Sequence, residues 1–241
     1  MKQITEAIYF IPGQDDMIPD SHVYLVGRPD SKDMTLVDAG LMGKGTYKVE
    51  SIRKTGVQLA DIKRVIMTHT HLDHIGCLGE ILRAIPDAEL WVHKAEADLL
   101  EQGDERAVYG MDMFQSMCQA QYGIRPGAFM FQVHRRLEGG ETLDLGGTAW
   151  EVFHIPGHSA GSIGLYNRQD KILIPGDTVY ADYAIGRFDL YGASGAQLRD
   201  SLMRLANLEV NFLLPGHNRM MEAVPPGYIL ETAKQWEPYL K

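Results

Sequence analysis

Four side chains able to hold a metal crowd into six positions of this 241-residue chain: His69, His71, Asp73 and His74, in THTHLDHIG at 68–76. At the end of an extended segment alternate side chains point the same way, so His69 and His71 can converge on one point. Asp73 and His74 follow where the chain turns into a helix, and address a neighbouring point. Imidazole nitrogen and carboxylate oxygen are the donors that zinc and iron prefer. Four ligands do not complete two such sites, so the pattern predicts further His or Asp residues at the ends of later strands. Three occur: His158 in FHIPGHSAGS, Asp177 in ILIPGDT and His217 in FLLPGHN. Each stands behind an apolar run and a Pro-Gly pair, whose glycine lets the backbone turn tightly at a strand's C-terminal edge.

The elements that must position these residues are legible as short runs. AIYFI (7–11), HVYLVG (22–27) and MTLVDAG (34–40), separated by turn formers, read as strands. Residues 43–56 read as a helix with Val49 and Ile52 on one face, and RVIMTH (64–69) as a buried strand running into the histidines. Apolar residues at helical spacing over 74–86 predict a helix stopped by Pro86, followed by a strand at ELWVH (89–93). From 94 to 132 the chain is rich in Met and aromatic residues, among them Met111, Met113, Phe114, Met117 and Tyr122. We read about 95–132 as a helical insertion between the two halves of the site, serving as core or as a lid. TLDL, TAWEVFH, SIGLYN, KILIP and NFLLP supply later strands, with a helix over about 195–208. TLVDAG and ILIPGD each end in a Gly/Asp turn, which hints at two related halves. The expectation is one layered α/β domain spanning 1–241.

Hydrophobic content of 45% and charged content of 23% are ordinary for a globular core. A net charge of −9 argues against nucleic acid as a partner. No apolar run approaches the length of a membrane span and no leader-like segment is visible, so a soluble cytoplasmic protein without membrane attachment is expected. Two cysteines make no disulfide framework, and Cys77 reads as a small buried hydrophobe rather than a ligand. His93, His134 and His154 read as structural.

As a set, HxHxDH, PGH, GD and a final PGH resemble the metallo-β-lactamase fold superfamily, over almost the whole chain. The resemblance implies a four-layer αβ/βα sandwich with a dinuclear metal site along one edge of its sheets. It implies His69, His71 and His158 around a first ion, and Asp73, His74 and His217 around a second. Asp177 would bridge them, and two divalent ions per chain are expected, zinc first, iron or manganese as alternatives. Asp38, in LVDAG, would orient ligands rather than bind metal, and His22 would lie at the edge of the site. The implied chemistry is hydrolysis: a metal-bound hydroxide attacks a carbonyl polarised by the other ion, with Asp73 and Asp177 as the catalytic carboxylates. No GxSxG nucleophile competes.

The substrate expected is a small acyl thioester or lactone, an acyl thioesterase being preferred to an acyl-homoserine-lactone type of lactonase. Glyoxalase II enzymes resemble this chain in their metal motifs, but carry a C-terminal glutathione-gripping region largely missing here. Met113, Phe114, Met117, Tyr180, Tyr183 and Arg187, with His22, are the candidate pocket residues. The rival from another class is a non-haem iron oxidoreductase, such as a persulfide dioxygenase. Homodimer formation is left open.

Overall fold

The computed structural model describes residues 1–14 and 18–241. Seven strands form the first sheet, in sequence order: β1 (Lys2–Thr5), β2 (Ile8–Ile11), β3 (Val23–Val26), β4 (Met34–Val37), β5 (Ile62–Ile66), β6 (Glu89–His93) and β7 (Arg135–Leu137). Its first four strands pair antiparallel, and β4 to β7 pair parallel. The second sheet runs β12-β11-β10-β9-β8, from β8 (Thr142–Asp144), β9 (Ala149–His154), β10 (Ile163–Asn167), β11 (Ile172–Ile174) and β12 (Phe212–Leu213).

The central strands β3, β4, β10 and β11 are buried on both faces, and the two-residue alternation sorts side chains into three cores. Tyr24, Val26, Val37 and Ile66 of the first sheet meet Trp150, Val152, Ile163 and Leu165 of the second, filling the space between the sheets. On the first sheet's outer face, Val23, Leu25 and Leu36 pack against α1 (Gly45–Arg53) and α3 (Leu78–Ala84), and the same core takes in α4 (Lys94–Gln102), α5 (Arg106–Tyr109) and α6 (Asp112–Tyr122). Outside the second sheet, Tyr166 and Leu173 pack against α7 (Gly195–Leu205) and α8 (Tyr228–Trp236). The layers are αβ/βα, as expected. In α7 the apolar stripe Leu198, Leu202, Leu205 has helical spacing, and the Ser194 side chain accepts a hydrogen bond from Gln197 N at its start. Among the described residues no helix is long and apolar enough to cross a membrane.

The segment expected to be one helix over 74–86 is two. The first, α2 (Leu72–Ile75), begins earlier and includes Asp73 and His74; the second is α3. The break has a cause in the backbone. The carbonyl of Asp73 accepts from Ser21 N and that of His74 from Ala39 N and Gly40 N, while Cys77 N donates to Gly40 O. The groups that would continue the helical ladder are engaged by the loops after β2 and β4. The C-terminal helix α8 and the short strands β1 and β7 were not anticipated.

The sheets approach each other at the edge where the motifs lie. Ile163 N of β10 donates to the Thr68 carbonyl just beyond β5, His22 N to the Gly216 carbonyl, and the Tyr24 hydroxyl to Pro215 O. The two similar turns stand on either side: TLVDAG closes β4 and ILIPGD closes β11, and each delivers an aspartate to the same place.

Candidate metal centre

Two groups of donors converge at this edge. His69, His71 and His158 form one, and Asp73, His74, Asp177 and His217 the other. The Nε2 of His158 lies 2.8 Å from His71 Nδ1 and 3.1 Å from His69 Nε2. In the second group His217 Nε2 stands 2.9 Å from Asp73 Oδ2, and His74 Nε2 3.2 Å from Asp177 Oδ1. Asp177 lies between the groups: its Oδ2 is 3.6 Å from His158 Nε2 and 3.4 Å from His217 Nε2.

The hydrogen bonds around these atoms decide which of them turn a lone pair toward the site. His158 Nδ1 faces the Arg187 carbonyl at 2.7 Å, so in the neutral ring it bears the proton and Nε2 carries a lone pair. Thr68 Oγ1 donates to Asp38 Oδ2, so the nearby His69 Nδ1 donates to Thr68 and leaves its Nε2 lone pair free. Two lone pairs then face each other at 3.1 Å, an arrangement that repels unless a positive charge sits between them. Burial pushes His69 well below its usual range and His71 to about 3, so both rings stay neutral donors. His71 Nε2, His74 Nε2 and Asp177 Oδ1 are buried and make no hydrogen bond among the described residues.

The second group calls for positive charge in another way. Burial opposes a charged His74, yet Asp177 and Asp38 together hold its pKa well above the usual value. Burial likewise opposes ionised Asp73, but the hydrogen bond from His217 and the nearby His74 hold it at about 2. Burial acts the same way on Asp177, which His217 and His74 keep well below the carboxylate range. Five imidazoles and two ionised carboxylates, with no thiolate, are a donor set suited to two divalent ions.

The Pro-Gly turns explain how the ligands reach the edge. A Cβ on Gly216 would come within 2.2 Å of Asp177 Oδ1 and 2.6 Å of His74 Cε1, so only glycine lets the turn before His217 pass the other ligands. Gly157 has φ +140°, and a Cβ there would strike the Leu198 backbone at 2.3 Å. Asp38 stands behind the donors: Oδ2 lies 2.9 Å from His74 Nδ1, and its oxygens accept both the amide and hydroxyl of Thr68. His22 steadies the neighbouring loop, its Nδ1 accepting from Gly13 N and its Nε2 bonded to the Asn218 carbonyl. Cys77 sits in the core with its thiol pushed up to about 12 by burial, away from ligand chemistry. His154 stacks on His93 at 3.9 Å, outside the site.

A cavity of about 400 Å³ opens onto the donors, with Asp73, His71, His158, Asp177 and His217 in its wall. Phe114, Met117, Tyr180 and Arg187 line it. Three other candidates do not. Met113 is 78% exposed because it lies about 100° around α6 from Phe114; Met111, just before that helix, lines the cavity instead. Tyr183 stacks on Tyr228, its ring centroid 4.7 Å away, and turns from the site. His22 packs edge-on against Phe10, with ring centroids 4.9 Å apart, and is not in the lining. Ile18 and Pro19, which no sequence pattern marked, complete the apolar lining. The Arg187 guanidinium is held by Asp189 in a two-point pair at 2.9 and 3.0 Å.

Comparison with known proteins gives a consistent picture. Residues 19–217 match the family model of the metallo-beta-lactamase superfamily. The chain is 36% identical over 169 residues to the acyl-coenzyme A thioesterase MBLAC2 of Gallus gallus, covering 66% of this chain and 57% of that protein. The chain thus spans little more than half the length of that relative. It is 26% identical over 214 residues to the probable metallo-hydrolase YflN of Bacillus subtilis, covering 82% and 80% of the two chains. Among solved structures, TTHA1623 in a di-iron-bound form is similar with a TM-score of 0.66 and 26% identity, over 88% of this chain and 93% of that one. With seven donors, their Pro-Gly turns and the αβ/βα layers all in place, this chain belongs to the metallo-beta-lactamase superfamily.

Proposed function

We propose that this protein is a dinuclear-metal hydrolase that cleaves acyl thioesters. The observation that carries the reading is the cavity of about 400 Å³, whose apolar wall of Ile18, Val108, Met111, Phe114 and Leu190 leads directly to both donor groups. Such a wall suits an acyl chain whose carbonyl end would then meet the donor groups. The likeness to an acyl-coenzyme A thioesterase supports the same class of bond. We assign the seven donors as the sequence implies, Asp177 being shared, and zinc as the metal. Bound there, divalent ions lower the pKa of water toward about 7 and polarise a carbonyl.

The chain's own groups have distinct tasks in this scheme. Among the second group's ligands Asp73 has the most exposed side chain, 23%, so its carboxylate is the one that reaches a water in the cavity and takes the proton released from it. Tyr180 borders the cavity with its phenol kept protonated by burial and by Asp177, so it can donate to the oxygen that gains charge. The Met and Phe side chains keep water from the acyl chain.

The test is a hydrolysis panel with zinc-reconstituted protein over acyl-coenzyme A esters of two to sixteen carbons, alongside lactones and β-lactams. Thioester turnover above the other classes is expected. Flat thioester and lactone rates together with oxygen uptake on persulfide would overturn the hydrolase reading in favour of an iron oxidoreductase. Within the panel, Phe114→Ala is expected to lower kcat/KM for the preferred chain length by roughly ten- to one-hundred-fold, the loss of about 1.5–3 kcal/mol of apolar contact. Metal content should be unchanged; equal losses of metal and activity would make Phe114 a packing residue instead.

A further inference from the structure

The His-rich stretch alternates with threonines, and each of the two threonines is pinned by its own carboxylate. Thr68, before His69, gives its amide and hydroxyl to Asp38 at 2.7 and 2.8 Å. Thr70, between His69 and His71, makes the same pair of bonds to Glu96 Oε2, both at 3.0 Å. The Ala107 carbonyl, 3.4 Å from the Thr70 hydroxyl, is the weaker alternative acceptor. Glu96 is 2% exposed and lies in the first turn of α4, where the helical insertion begins. Its other oxygen, Oε1, accepts from Gly161 N at 3.0 Å, three residues beyond His158. A Cβ on Gly161 would meet the Glu96 carboxyl carbon at 2.7 Å, so the contact requires the bare backbone of that glycine.

One buried carboxylate therefore ties together the two separate loops that supply His69, His71 and His158. We propose that Glu96 is a positioning residue for the first metal site, a counterpart of Asp38 at the second, acting through Thr70 and Gly161 rather than by touching an ion. The proposal rests on the metal reading above. It also gives the insertion a role besides forming the cavity wall: its first helix fixes the geometry of the three-histidine group. Glutamine cannot replace the carboxylate. Thr70 makes two bonds to one oxygen, so a glutamine would keep its carbonyl there and turn its NH₂ against the Gly161 N–H. That substitution frees the His158 arm and leaves the Thr70 arm pinned.

The two sites can be isolated for the test. A His217→Ala background disables the second group, and a His158→Ala background the first. Zn²⁺ affinity of chelator-stripped protein is read by competition with a chromophoric chelator. In the His217→Ala background, Glu96→Ala is expected to weaken Zn²⁺ binding by roughly ten- to one-hundred-fold, the usual loss when a ligand's support is removed. Glu96→Gln should fall between that and the parent, and neither should change affinity in the His158→Ala background by more than about twofold. Equal weakening of both sites, or no change in either, would overturn the proposal. If Glu96→Ala does not fold, Thr70→Val, which removes one hydroxyl donor and keeps the backbone bond, must show the same site selectivity for the proposal to stand. Wild-type protein that binds fewer than two Zn²⁺ overturns the metal reading itself; wild type binding two with unaffected variants overturns Glu96 alone.

Discussion

Asp177→Ala is expected to lower bound metal below two ions per chain and to cut kcat/KM by more than about a hundredfold, the scale seen when one electrostatic partner of a reacting centre is lost. The size of the effect follows from its position. Its two oxygens lie 3.2 to 3.6 Å from the Nε2 atoms of His74, His158 and His217, so one substitution withdraws an anion from both groups at once. It also leaves His74 Nε2 with Asp73, 4.0 Å away, as its nearest carboxylate, while Asp38 stays 2.9 Å from the opposite ring nitrogen. Asp177→Asn keeps the shape and removes the charge, and should lose metal nearly as completely, because the neutral amide offers only one oxygen. Metal stoichiometry by elemental analysis and steady-state thioester hydrolysis check both variants. Full rate and two ions in Asp177→Ala would refute the shared-ligand assignment.

Lys48→Met is expected to destabilise the fold by about 3–5 kcal/mol, the cost of leaving one charge of a buried pair without its partner. The Lys48 and Asp20 side chains are both 0% exposed, with Nζ 2.9 Å from Asp20 Oδ2, and Nζ also donates to the Ser21 carbonyl. Asp20 in turn accepts the amides of Gln14 and Leu41, tying the loop after β2 to the loop after β4. Gly40 is closed in by the pair: a Cβ there would come 2.6 Å from Asp20 Oδ1 and 2.7 Å from Lys48 Cε. For a chain of this size the loss corresponds to a melting temperature lower by roughly 6–20 °C. Asp20→Asn combined with Lys48→Met should recover part of it, because the amide keeps an acceptor for Leu41 N while both charges are gone. Thermal unfolding of the single and double variants measures this, and a Lys48→Met protein within about 1 kcal/mol of wild type would show the pair to be dispensable. Activity should fall as well, since Ser21 N holds the carbonyl of Asp73.

The two donor groups were legible in the sequence because metal coordination demands particular residue types at strand ends, and strands leave a two-residue mark. His158, Asp177 and His217 each carry their own local signature, an apolar run and a Pro-Gly pair. Less legible was anything decided by a partner distant in the chain. Glu96 looks like an ordinary helix residue until Thr70 and Gly161, 26 and 65 positions away, fold against it. Lys48 reads as an exposed charge on an amphipathic helix, and only Asp20 makes its burial tolerable. The break between α2 and α3 was hidden for the same reason, since loop amides rather than local propensity interrupt the ladder. Met111 and Met113 show the limit of composition: two residues of one type, two positions apart, face the cavity and the solvent.

The alternation of Thr68, His69, Thr70 and His71 makes this segment a ribbon with two faces, one wired to carboxylates and the other to the donor groups. Because its side chains obey a period of two, a frame shift of a single residue exchanges the faces completely. Hydroxyls would enter the site and imidazoles would be pressed against Asp38 and Glu96, with no intermediate arrangement available. A one-residue insertion or deletion within 68–71 is therefore expected to cost more metal binding than a substitution at either threonine.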